Sequence, residues 1–152
     1  MPKTVKSLKI GHYELEIDPE ETARQYAAMP PFCGSDVGQR FFRYLLPRAK
    51  EESLLFLREL GIDPAKLYLA RPVAEPDEKG EVLFLCSARL CGRLLRGFDA
   101  YPRKSVEQSG LSMVFVSDRR QFHEGLMNFP DPEIEFRFVI PLPFDPDFFK
   151  AL

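Results

Sequence analysis

The sequence predicts a single α+β domain, residues 1-152, with a largely antiparallel sheet covered on one face by helices. Three observations lead there. Ile134, Phe136 and Phe138 alternate with Glu133, Glu135 and Arg137 at the period of a half-buried strand, whereas Val82 to Leu95 is apolar on both parities, as befits a central strand. The strand-like segments are separated by short turn signals, which suffice for antiparallel neighbours, while parallel ones need repeated crossovers. Finally, 14 Pro and 14 Phe suggest short elements packed around aromatic side chains.

In chain order, Val5 to Ile17 reads as a hairpin or bent strand pair with Gly11-His12 at its turn. Asp18, Pro19 and Glu21 then form an N-cap, a first-turn proline and a capping-box partner. The helix they open should run to about Met29 and stop at Pro30-Pro31, since proline lacks the amide the preceding turn needs. Ser35 or Asp36 can cap a second helix carrying Val37, Phe41, Tyr44 and Leu45, interrupted at Pro47, where a third can begin. Gly61 should end that third helix in the left-handed conformation, with Ile62 folding back on it and Asp63-Pro64 opening a further turn.

Leu67 to Val73, broken by Pro72, suits an edge strand, and Pro76 to Glu81 a hairpin turn. The central strand should bend near Gly92. Arg96 to Gly110 reads as a loop, Leu111 to Ser117 as a short strand, and the residues after Asp118 as a helical turn ahead of Pro130 and Pro132. The expected core comprises Phe41, Leu54, Leu57, Leu60, Leu83, Leu85, Phe115, Phe136 and Phe138.

The order of "GHYELEID", a cysteine followed by "QRF", "LLFLRELGIDPAK", a late "FPDPEIEF" and a closing "IPLPF" resembles a family of small uncharacterised bacterial proteins, over about Ile10 to Phe144. Leu60 to Lys66 is the most specific piece. Members of that family often carry a C-x-C-x-x-C cluster ahead of the L-G-I-D-P-x-K segment. Here only Cys33 occupies its place, with Ser35 and Gly38 at the other two positions and Arg40 at the asparagine that follows. The resemblance implies a fold and no established activity.

Charge and composition exclude several classes. With 21 basic and 23 acidic residues spread along the chain, nothing would gather a polyanion, so nucleic acid is not the expected partner. The cluster Arg89, Arg93, Arg96, Arg103 and Lys104 keeps a phosphate-bearing partner open, with salt-dependent affinity as its mark, although solvated arginines near strand ends are the simpler reading. Three cysteines fit a reducing compartment, and no apolar run approaches a membrane span, so a cytoplasmic protein is expected.

Candidate chemistry is sparse. A metal site would have to draw on Cys33, Cys86, Cys91, His12 and His123, but Cys86 and Cys91 are odd-spaced and face opposite sides of one straight strand. No metal or cofactor is expected. Cys33 precedes a helix start carrying Arg40 and Arg43, which would favour a thiolate, yet His12 and His123 are the only bases for it and no spacing ties them to it. Glu14 with Glu16, and Glu133 with Glu135, could pair as carboxylates, but each pair is more simply the solvent face of its strand. Neither a P-loop, nor G-x-G-x-x-G, nor H-E-x-x-H is present.

Phe41, Phe42 and Tyr44 cannot all share one helix face, and Phe148 and Phe149 lie near the end, so some can sit at the surface, where aromatics flanked by arginine suit a protein interface, although packing against the sheet is the simpler reading for any one of them. The expectation is a non-catalytic domain that binds another protein through the free sheet face or the Arg96 to Gly110 loop. Arg40, Arg43, Arg93, Arg96 and Arg103 are the candidate contacts. The alternative is an enzyme or small-ligand protein whose dispersed pocket joins Cys33, a histidine and arginines.

Overall fold

The structure, a computed structural model, is described over residues 5-29, 44-73, 77-97, 105-122 and 129-143. It contains β1 (Lys6–Ile10), β2 (Tyr13–Ile17), α1 (Pro19–Ala28), α2 (Glu51–Glu59), β3 (Tyr68–Pro72), β4 (Glu81–Arg96), β5 (Val106–Gln108), β6 (Leu111–Val116) and β7 (Glu133–Pro143). Single 3-10 turns lie at Leu46–Arg48, Pro64–Lys66 and Arg119–Gln121. The class is mixed α+β. None of the described helices is long and apolar enough to cross a membrane.

Local chemistry sets the element boundaries. The Asp18 carboxylate accepts from the Glu21 amide at 3.0 Å, starting α1 where its capping residues predict. After α2, Gly61 takes φ +87, and an added Cβ would meet the Pro19 carbonyl oxygen at 2.2 Å. The Asp77 carboxylate accepts from the Lys79 and Glu81 amides, tying the turn that returns β3 to β4. Two expectations shift: α2 starts at Glu51 rather than near Pro47, because a separate 3-10 turn follows Leu45, and part of the expected 96-110 loop is strand β5. Of the residues named for the helix expected to start at Ser35 or Asp36, Tyr44 and Leu45 fall within the described residues, and both are helical.

The strands form one antiparallel sheet in the order β1-β2-β4-β7-β6-β5, with β3 also on β4. β7 runs beside β4 from Glu81 to Cys91. On the opposite edge β3 pairs with Phe84 to Ser87 and β2 with Gly92 to Arg96, which leaves a break between them.

Helix α1 fills that break with side chains. The Tyr26 hydroxyl accepts from the Arg89 amide and donates to the Arg89 carbonyl, each at 3.0 Å. Thr22 Oγ1 accepts from the Cys91 amide at 3.0 Å, and the Asp18 amide donates to the Cys91 carbonyl at 2.8 Å. Buried strand groups that lack a neighbouring strand are thereby satisfied. Tyr26→Phe is therefore expected to cost about 1–3 kcal/mol, by stranding a buried donor and acceptor. Chemical denaturation with an unchanged m-value would show it; a loss below a few tenths of a kcal/mol would mean that water replaces the hydroxyl.

The sheet is strongly curled. Three strand spacings separate β2 from β6, about 14 Å in a flat sheet, yet the rings of Tyr13 and Phe115 lie 5.1 Å apart, edge to face. At the hairpin turn, a Cβ on Gly11 would fall 2.7 Å from Val106 on β5, at the far edge. The bend sits at Gly92, where φ is +155 and a Cβ would meet the Glu16 carbonyl oxygen at 2.2 Å. Only glycine lets β2 approach there.

Val82, Phe84, Cys86, Ala88 and Leu90 on β4 share the core face with Ile134, Phe136, Phe138, Ile140 and Leu142 on β7 and with Met113 and Phe115 on β6. Phe136 stacks on Phe115 and Phe138, and Phe56 of α2 meets it edge-on at 6.1 Å. Of the expected core, Leu57, Leu60, Phe115, Phe136 and Phe138 are buried, and Phe41 lies outside the described residues. Leu54, Leu83 and Leu85 are only partly buried. For Leu83 and Leu85 the reason is parity: they project from the face of β4 opposite Phe84 and Cys86.

Candidate functional site

That second face carries an ionic network instead of open solvent. Arg89, Glu133 and Glu135 are 3%, 5% and 0% exposed, so the expected solvated acids of β7, and the expected solvated Arg89, are buried. The cause is the chain between β6 and β7, which returns over the sheet. Phe122 lies against the Arg89 guanidinium at 4.3 Å, and the Phe129 amide donates to Glu133 Oε2 at 3.0 Å. Arg89 stands 3.7 Å from Glu133 and 3.8 Å from Glu135. Arg137 pairs with Glu135 and donates to the Gln121 carbonyl, and Arg119 reaches Glu133 Oε1 at 3.1 Å. Three arginines thus meet two glutamates, with Arg89, Glu133 and Glu135 buried and Arg119 and Arg137 reaching them from the more exposed edge.

Arg119 also lies 3.7 Å from Asp131, which belongs to the rim of a neighbouring cleft. That cleft, of about 380 Å3, opens between the end of β2, the first turns of α1, the Gly92 bend and the Pro130 to Pro132 turn. Its walls combine apolar Val5, Ile17, Pro130 and Pro132 with acidic Glu16, Asp18, Glu21 and Asp131 and basic Arg24 and Arg93. Glu21 accepts from Gln25 and from Arg24, at 2.9 and 2.7 Å, and those bonds hold its carboxyl below the usual range.

Cys91 also lines this cleft, and burial pushes its thiol from the ordinary 9.0 up to about 11. A raised folded value means that the proton is held by the native state, so this stabilisation is full below pH 9.0 and is lost as pH climbs through about 11. At pH 8 native Cys91 should alkylate about 100-fold more slowly than in unfolded chain. Mass mapping of the Cys91 peptide after iodoacetamide would show this, and equal rates would show that the thiol is neither buried nor protonated as described.

Among the described residues, the sequence-derived candidates His12, Arg93 and Arg96 do not converge on one site. His12 is exposed on the β1-β2 turn, its ring 4.1 Å from that of Tyr13, at the opposite end of β2 from the cleft. Arg96 pairs with Glu14 at 3.5 Å, while Arg93 lines the cleft. Cys33, His123, Arg40, Arg43 and Arg103 lie outside the described residues. Cys86 is buried on the core face, opposite Cys91, its thiol pushed far up by burial. Among the described residues no group of three or more His, Cys, Asp or Glu is placed to hold a metal ion. Sequence reasoning missed Glu16, Arg24 and Asp131 as cleft residues. The buried network had one legible sign: an arginine inside the Val82 to Leu90 run, which is otherwise apolar except for Ser87.

Fold and cleft together define a curled antiparallel α+β domain with an open, doubly charged groove beside a buried ionic cluster. No family model matches the chain, and neither a curated protein nor a solved structure was found to be similar to it.

Proposed function

We propose that this chain is a non-catalytic, cytoplasmic binding domain that takes a segment of another protein in the cleft beside Gly92. The observation that supports this reading most directly is the composition of the cleft. Apolar side chains and charges of both signs surround a thiol that burial keeps protonated, a lining suited to recognition rather than nucleophilic attack. In the same reading the helices cover one face of the sheet, as the contact of Phe56 with Phe136 supports, leaving the cleft at the rim accessible.

The test is affinity capture from native bacterial lysate with the full chain, in parallel with an Asp131→Lys, Arg24→Glu double variant. Both positions are on the cleft wall and exposed, so the fold should tolerate the exchange. A stoichiometric protein captured by the unaltered chain and lost with the variant is the expected result. No stoichiometric protein, or one retained equally by the variant, would overturn the proposal.

A further inference from the structure

Resting on that reading, we infer that the segment held in the cleft carries a cation and a carboxylate two residues apart, met by Glu16 and Arg93 respectively. These two residues are direct cross-strand partners on β2 and β4, and both line the cleft. Their neighbours on the same two strands, Glu14 and Arg96, form an ion pair at 3.5 Å. By contrast, among the described residues neither the Glu16 carboxylate nor the Arg93 guanidinium has an ion-pair or side-chain hydrogen-bond partner. The other charges nearby are already engaged: Arg24 with Glu21 at 2.6 Å, Asp18 with the Glu21 amide, Asp131 with Arg119. Among the described residues, the cleft therefore offers one uncommitted charge of each sign, Glu16 and Arg93.

Directly opposed residues on antiparallel strands have Cβ atoms about 4.5–5.5 Å apart, on the same face of the sheet. In an extended ligand, side chains at i and i+2 also share a face and are separated by about 6.6 Å. A basic residue and an acidic one in that spacing can reach Glu16 and Arg93 together, while the residue between them turns away. The volume of about 380 Å3 lies at the small end of the roughly 300–1,000 Å3 range of ligand clefts. It accommodates a few residues of extended chain. Val5, which is exposed, and Pro130 and Pro132 supply apolar contact for the flanks. A single-charge ligand would leave one of the two groups unmatched, so complementarity selects the mixed pair.

End-blocked short peptides centred on Arg-Val-Asp, Asp-Val-Arg or Ala-Val-Ala, titrated into isotope-labelled full chain, provide the probe, with amide shifts as readout. One charged order should move Glu16, Arg93 and Val5 resonances, and Ala-Val-Ala should not. Glu16→Lys and Arg93→Glu should each weaken that peptide about tenfold or more. The exchanged double variant Glu16→Arg, Arg93→Glu should prefer the opposite order, an outcome that a merely damaged fold could not give. Equal binding of all three peptides, or identical affinity in every variant, would overturn the inference. So would shifts confined to residues away from the cleft. If lysate capture still yields a partner in that event, only the charge pattern fails; if capture also fails, the binding reading falls with it.

Discussion

Replacing Glu135 with alanine is expected to remove about 3–5 kcal/mol of folding stability, the cost of leaving the buried Arg89 with Glu133 alone of its two carboxylates. Glu135 is fully buried between Arg89, at 3.8 Å, and Arg137. Arg89 is itself enclosed, by Phe122 on one side and the sheet on the other, so water cannot take the carboxylate's place. A control separates breaking the network from removing it. The triple change Arg89→Met, Glu133→Gln, Glu135→Leu should come much closer to the native stability than Glu135→Ala alone, because no buried charge is then stranded at the centre and the Phe129 amide keeps an acceptor. Urea unfolding followed by circular dichroism measures both. A single variant within about 1 kcal/mol of native would place the cluster in effective contact with solvent.

Phe136→Ala should cost a similar amount, about 3–5 kcal/mol, for a different reason. Its ring stacks on Phe115 at 4.9 Å and on Phe138 at 4.7 Å and receives Phe56 edge-on, so truncation opens a cavity that three aromatic neighbours from α2, β6 and β7 cannot all collapse into. Leu85→Ala on the partly buried face of β4 serves as comparison and should cost less, since a smaller side chain that is only partly buried is truncated there. Similar losses at the two positions would indicate that the parity of the core has been assigned to the wrong face.

The two experiments probe the part of the fold that was hardest to read. Element boundaries were legible because single residues impose them: Asp18 caps, Gly61 accepts a left-handed backbone, Asp77 ties a turn. The parity of β4 was not, since Val82 to Leu90 is apolar at nearly every position and alternation carries no information there. In β7 alternation is plain and still misleads about exposure. Glu133 and Glu135 do face away from Phe136, but the chain around Phe122 and Phe129 closes over them, and their counter-charge Arg89 comes from another strand.

The cleft was invisible for a related reason. Glu16, Arg24, Arg93 and Asp131 come from three strands or turns and a helix, and only the bend at Gly92, which lets β2 close on β4, brings them to one opening. The sequence by itself determined the boundaries that a single cap, glycine or turn residue imposes, at Asp18, Gly61 and Asp77, because those are decided by backbone conformations and hydrogen bonds within a few residues. Tertiary structure alone decided which sheet face is dry, which charges are buried and which meet in a groove, because those depend on what distant segments place against each side chain.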